Sequence, residues 1–373
     1  MRTPVRAAIL EAPRRPMRIA TVHIDAPEPQ EVLVRVAAVG LCHSDLHYVT
    51  GSLSIGLPVV LGHEVAGVVE QVGPQVTRLA PGDRVVASVT PACGACRFCL
   101  RGRPTQCARV AEARLRPRAR LVDDAGRPVE TLGAVGAFAE KILVTERSLA
   151  KVPAHVPAEV ACLLGCCVTT GVGAVTHGAA VGTDHTVAVI GCGGVGIAAI
   201  QGARLAGARR IVAIDVVKEK LDAAQRFGAT DVLLAGPDEA DTRAQLEQLI
   251  PGGVDRSFEA VGRSGTAALA FGLLAPTGVA TILGLMPQGE QLTIGGDELV
   301  YGDSPQSMSS VSPVALASSR SLPESPSSLR TTRNPSTRSR PRISTGEARK
   351  RRTTRLPTPA GGRAASSSRS VVF

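Results

Sequence analysis

The sequence predicts an α/β protein: a β-rich N-terminal domain followed by a doubly wound parallel sheet. Three observations predict it. Short β-branched runs bounded by turn residues fill residues 1–160, among them EVLVRVAAVG, VAGVVEQVG, DRVVASV and FAEKILV. Beyond residue 180, strand-like and helix-like runs alternate: TVAVIG, VGIAAIQGARLAG, RRIVAID, KEKLDAAQRFG, DVLLA and onward to GVATILG. That alternation is the pattern of parallel strands joined by helical crossovers. Aromatic residues make up only 2% of the chain and Trp is absent, so the cores must be built from Val, Ala, Leu and Ile. Such a palette suits strands buried on both faces.

The 373 residues suffice for two cored domains, placed at 1–168 and 169–301. Between them, ACLLGCCVTTGVGAVTHGAA is helix-compatible and dominated by small residues. The N-terminal residues lack the apolar run of a signal peptide, and no run reaches membrane-spanning length, so a cytoplasmic protein with reduced thiols is expected.

Residues 302–373 form a third segment of different character. It holds eighteen serines against seven in the preceding 301 residues, and its thirteen basic and three acidic residues account for the whole net charge of +10. The remainder is neutral and offers no electrostatic footprint for nucleic acid or a membrane. With neither alternation nor helical periodicity, this segment has two readings: a disordered basic tail, or the product of a compensated frameshift in GC-rich coding DNA. Either leaves the edge of the sheet without its final strands.

Gly191, Gly193 and Gly196 stand in GxGxxG spacing, with Val195 inside the motif, between an apolar strand and a helix-compatible run. Asp215 ends the next strand nineteen residues later. The first glycine permits a tight turn, the second a close approach to a pyrophosphate, the third close helix–strand packing. Asp215 suits the adenosine ribose hydroxyls and repels a 2′-phosphate, which favours NAD over NADP, and Lys220 is placed to support that ribose.

Cys93, Cys96, Cys99 and Cys107 follow C-x2-C-x2-C-x7-C, four soft ligands on a short loop. That set suits a coordinatively closed zinc, and Arg97, Arg101 and Arg103 offset part of its charge. A redox or metal-free loop is the alternative. Cys42, His63 and Cys166 would supply two thiolates and an imidazole, a ligand set for zinc with an open fourth position. Asp45 is available to orient the imidazole.

GLCHSDLH, GHEVAGVVEQVG, PGDRVV, CGACRFC, LGCCVTTG and GCGGVG occur in one order across roughly residues 5–300. Through them the chain resembles the zinc-dependent medium-chain alcohol dehydrogenases. The resemblance implies a GroES-like catalytic domain, a Rossmann domain, two zinc ions per chain and hydride transfer between an alcohol or aldehyde and NAD. It implies that the four-cysteine loop is a structural zinc site. Ser44 would take the alcohol proton and His47 deliver it to solvent, while Glu64 would assist exchange at the metal. It places Thr170 at the nicotinamide, His43 at the pyrophosphate where Arg is common, and Arg369 as a closing basic residue for the cofactor. Val89, Phe138 and Leu285 would wall an apolar pocket open to substituted or aromatic alcohols. A homo-oligomer is expected of the family. The rival reading is a non-enzymatic relative whose basic tail binds a partner or nucleic acid.

Other suggestive residues have plainer readings. Cys162, Cys167 and Cys192 are expected as small buried residues. His23, His155, His177 and His185 have no motif partner, and the basic run Arg114, Arg116, Arg118 and Arg120 is expected as a solvated loop.

Overall fold

A computed structural model describes residues 2–114 and 119–296, with short strands at 307–308, 310–313, 367–368 and 370–372. Arg116, Arg118 and Arg369 lie outside the described residues. In the N-terminal half, Thr3–Leu10, Arg18–Ile24, Leu121–Val122, Pro128–Thr131 and Val59–Val60 close into a small barrel. Beside it runs a five-stranded antiparallel sheet in the order Leu149–Lys151, Arg84–Ala87, Glu64–Val72, Glu31–Gly40 and Lys141–Thr145. Val32, Val34, Val65, Val85 and Ile142 supply its core, so the expected aliphatic palette is what fills it.

Register does the positional work. Gly40 pairs with Glu64 at the end of the two longest strands, so the residues just beyond Gly40 and just before Glu64 emerge side by side. Arg84–Ala87 lies next, with Ala87 opposite Val65. A Cβ at Gly165 would overlap the Ala87 carbonyl oxygen, so only glycine brings the following residue this close to the sheet.

The second half is a parallel sheet in the order Asp231–Leu234, Arg210–Asp215, Thr186–Ile190, Val254–Glu259, Leu274–Ile282, Ser310–Pro313, Ser370–Val372. Its first six strands thus run 3-2-1-4-5-6 by chain order, the doubly wound arrangement. All five residues of Thr186–Ile190 are buried. Val187 and Val189 pack against Ala199, Ile200 and Ala203, whereas Ala188 and Ile190 face Leu246, Leu269 and Phe271. Both faces are covered, which explains the run's continuous apolar character. The edge expected to be bare is paired here: Ser310–Pro313 joins Leu274–Ile282, and Ser370–Val372 joins both. The closing Ser-Val-Val run resembles a family strand in sequence, whereas Ser310–Pro313 shows no strand pattern, because backbone pairing at an edge needs none.

Two helices join the halves. Cys167–Gly173 packs on Gly194–Leu205, where a Cβ at Gly171 would stand 2.7 Å from Ala198 Cβ and the Ala199 nitrogen, with the Val195 carbonyl oxygen 2.5 Å away. Among the described residues no single helix is long and apolar enough to cross a membrane.

Arg120 departs from expectation. Its side chain is nearly buried, 3.4 Å from the equally buried Glu31, so it is an internal ion pair rather than part of a solvated loop. Gly171→Val is expected to lower stability by about 1–3 kcal/mol through overpacking of the helix contact, measured by urea denaturation. An unchanged midpoint would show that the two helices can separate freely.

Candidate active site

Cys42 caps the helix His43–Thr50 in extended conformation, two residues past the paired strand end. His63 precedes Glu64 on the neighbouring strand, and Cys166 follows Gly165. The Cys42 and Cys166 sulfurs and a His63 ring nitrogen lie within 4.8 Å of one another. His63 and Cys166 are buried. Asp45, on the first turn of the helix, accepts from the Gly62 amide at 2.8 Å and from His63 Nδ1 at 3.4 Å. That bond turns Nε2 towards the sulfurs and fixes the ring. A Cβ at Gly62 would strike Phe138, whose ring backs the ligand-bearing turn.

The electrostatics of this cluster match a cation-binding set. Cys42 is held down at about 3 by the hydrogen bond from Cys166, against the opposing effect of burial. Cys166 is pushed far up by sharing a proton with Cys42 and by burial. Burial works against a charged His63, but the hydrogen bonds to Asp45 and Cys42 outweigh it and raise the imidazole to about 10. Glu64 lies behind them, raised by burial and by the Cys42 charge, with Oε1 accepting from the Cys167 amide at 3.1 Å. Gly40 leaves room for its other oxygen.

Ser44 Oγ lies 3.5 Å from Cys42 Sγ, and its hydroxyl helps hold the Cys42 thiol down. His47 lies one turn further, half-buried, its ring edge-on to His43 at 5.9 Å. Burial and then the His43 charge lower its pKa, partly offset by a hydrogen bond with the Leu285 backbone. His43 itself is exposed, whereas Thr170 is buried on the helix that starts at Cys167.

The fingerprint turn lies across the helix contact. Gly191 has φ +90°, and a Cβ there would meet Val261 Cγ2 at 2.7 Å. A Cβ at Gly196 would collide with the Gly191 carbonyl oxygen, whereas Gly193 faces open space at the start of the helix. Gly191 thus makes a turn only glycine takes readily, Gly196 lets the helix pack on the strand, and Gly193 leaves the helix start uncovered. Asp215 accepts from the amides of Cys192 at 2.8 Å and Val217 at 3.0 Å, and Lys220 Nζ stands 3.9 Å from it. Cys167 Sγ would lie 3.6 Å from a Cβ on Gly194, so the metal-ligand set and the fingerprint helix are direct neighbours.

Comparison with known proteins identifies the family. Residues 28–154 match the alcohol dehydrogenase GroES-like domain, and residues 194–303 match the zinc-binding dehydrogenase domain. The S-(hydroxymethyl)glutathione dehydrogenase of Escherichia coli (strain SMS-3-5 / SECEC) is 38% identical over 306 residues, 80% of this chain and 82% of that protein. The chain belongs to the zinc-dependent alcohol dehydrogenase family. Among solved structures, an alcohol dehydrogenase zinc-binding domain protein from Burkholderia ambifaria superposes with a TM-score of 0.76 and 35% identity, covering 82% of this chain and 83% of that one. Benzyl alcohol dehydrogenase from Acinetobacter calcoaceticus gives a TM-score of 0.72 at 31% identity, covering 81% and 83%. The chain is therefore an oxidoreductase of the mixed α/β dehydrogenase fold.

The four-cysteine loop is a second candidate metal site among the described residues. All nine cysteines are free, and the four sulfurs of Cys93, Cys96, Cys99 and Cys107 lie within 4.8 Å of one another. Their separations of 3.5, 3.9 and 4.0 Å bracket the edge of about 3.8 Å expected of a tetrahedron with metal–sulfur bonds of about 2.3 Å. Backbone amides of Ala95, Cys96 and Arg109 donate to these sulfurs at 3.3–3.4 Å. Donation from the backbone holds Cys96 down to about 6. Two features escaped sequence reasoning. Arg147 Nη1 donates to the Cys93 carbonyl and anchors the loop, and Glu259 is wholly buried at the C-terminal end of its strand. An acid ending a strand just before Ala-Val-Gly was the available signal for the second.

Cys162, Cys167 and Cys192 are buried as expected, the last two with thiols pushed up to about 12 by burial. His23 pairs with Asp124 at 2.9 Å and His185 accepts from the Gly182 amide at 3.0 Å. Metal analysis of purified protein is expected to give two zinc ions per chain. Cys93→Ser should lose one of them and lower the unfolding temperature, while Cys42→Ser should lose the other with the fold retained. One zinc or none in the folded wild type would refute the two-site assignment.

Proposed function

We propose that the chain oxidises an alcohol to an aldehyde or ketone with NAD as hydride acceptor, and catalyses the reverse reduction. The observation that carries this is the close approach of Cys42, His63 and Cys166 to one another, across one helix contact from the dinucleotide fingerprint. These three residues would hold zinc, which when bound acts as a Lewis acid and lowers the pKa of an alcohol. The groups that handle the proton and bind the cofactor ribose belong to the chain. Ser44, beside Cys42, is placed to take the alcohol proton. His47, with its lowered pKa, is neutral near pH 7 and can accept that proton, and its half-exposed ring can release it to water. Glu64, next to His63 in the chain, would assist exchange at the metal. Asp215 offers a carboxylate to the ribose hydroxyls and disfavours a 2′-phosphate.

Val89 packs against Gly133, where a Cβ would come within 2.8 Å of it, and this small residue supports a pocket open to aromatic alcohols. The test is nicotinamide reduction by zinc-loaded protein over a panel that includes ethanol, benzyl alcohol and S-(hydroxymethyl)glutathione. Benzyl alcohol is expected to lead. No reduction of NAD or NADP by any alcohol would overturn the proposal in favour of a non-enzymatic relative.

Asp215→Gly is expected to narrow the preference for NAD over NADP by about tenfold, the equivalent of roughly 1.4 kcal/mol, in kcat/KM. A wild type that prefers NADP would show the ribose contact to be misassigned. Ser44→Ala should lower kcat by about a hundredfold or more, because water cannot replace the inner hydroxyl, whereas His47→Gln should cost about tenfold or less. His47 must be neutral to accept a proton, so alcohol oxidation should fall as pH drops through its pKa, which lies below the ordinary 6.5. His47→Gln should flatten that limb, and a profile identical to wild type would remove His47 from the relay.

A further inference from the structure

Glu259 is a fully buried carboxylate that the proposed chemistry does not use. It ends the strand Val254–Glu259 opposite Ile190, one residue before the fingerprint turn on the neighbouring strand. Its Oε1 accepts three hydrogen bonds, each 2.8 Å, from the Val261 amide, the Gly262 amide and Thr266 Oγ1. Oε2 is buried and has no hydrogen-bond partner among the described residues. Its main-chain oxygen accepts from Leu283 at 2.7 Å and Gly284 at 3.0 Å. A buried side chain with this many donors on one oxygen fixes whatever carries those donors.

What it fixes is the turn Ala260–Gly262. The Ala260 amide donates to the Ile190 carbonyl at 2.8 Å, and a Cβ at Gly191 would touch Ala260 at 3.1 Å and Val261 at 2.7 Å. Val261 exposes 41% of its surface and so presents an apolar side chain beside the fingerprint turn. Gly262 has φ +85°, and a Cβ there would meet the Leu285 backbone at 2.5 Å or just beyond. Leu285 is the residue whose backbone hydrogen-bonds His47. One carboxylate therefore braces two loops: the wall against the first fingerprint glycine, and the segment that meets the outer relay histidine.

We propose that Glu259 is a positioning residue for the dinucleotide crevice, holding the Ala260–Gly262 wall at the spacing that lets a nicotinamide dinucleotide lie between Val261 and the fingerprint turn. The inference rests on the crevice being a nicotinamide dinucleotide site. It acts through the acceptor oxygen rather than through charge, since all three donors are neutral and converge on Oε1. Glutamine at this position keeps an oxygen for them; alanine keeps none.

The test uses zinc-loaded full-length protein and calorimetric titration with NADH, alongside steady-state kinetics. Glu259→Ala is expected to weaken NADH binding by about tenfold or more and to raise KM for NAD in parallel, with kcat at saturating cofactor changed by less than about threefold. Glu259→Gln should return to within about threefold of wild type. Thr266→Val, which removes one donor and leaves the carboxylate in place, should weaken NADH by a smaller factor, and it keeps the inference testable if the alanine variant does not fold. Wild type that binds neither NADH nor NADPH would refute the crevice assignment itself. Wild type that binds NADH while Glu259→Ala and Thr266→Val bind it equally well would refute the role of Glu259 alone, as would a variant whose kcat falls while KM is unchanged.

Discussion

The contact between the helices Cys167–Gly173 and Gly194–Leu205 sets the geometry of everything else. One helix begins directly after a candidate metal ligand, the other directly after the second fingerprint glycine. Their approach is limited by backbone atoms because Gly171 carries no side chain, and Gly202 meets Val172 and Val175 in the same way. Two sites that belong to separate hydrophobic cores are thereby held at a spacing fixed by the glycine faces. Larger residues at these positions would separate ligand set from cofactor turn without touching a functional side chain.

Within the first half, the same economy operates through the sheet. Pairing of Gly40 with Glu64 delivers Cys42 and His63 to one point, and the close approach at Gly165 adds Cys166. Acidic groups gather there: the Cys42 thiolate with the Cys166 thiol beside it, and the Asp45 and Glu64 carboxyls. Without a compensating cation the cluster would be costly to bury, and the raised His63 expresses that cost. The chemistry of the donor set and the electrostatics of the fold point to the same occupant.

Legibility in the sequence followed distance along the chain. Gly191, Gly193, Gly196 and Asp215 lie within one strand–helix–strand unit, so their spacing carried their arrangement. The four cysteines of the loop fall within fifteen residues, and spacing again sufficed. Cys42, His63 and Cys166 span more than 120 residues, and family pattern rather than local physics brought them together. Arg120 was misread because a run of arginines carries no sign of a partner as distant as Glu31. Glu259 was passed over for a related reason: one acid at a strand end is unremarkable until its three donors are in place.

The order of the parallel sheet has a consequence for how this chain tolerates change. The strand that carries the fingerprint sits in the middle, and Val254–Glu259 and Leu274–Ile282 stand between it and Ser310–Pro313. Edge positions ask of a sequence only that its backbone be able to pair, whereas central ones demand apolar side chains on both faces. The scaffold is thus graded, exacting at its axis and permissive at its rim. Mutational drift, even a shift of reading frame, could rewrite the outermost strands while leaving the machinery of the crevice encoded upstream.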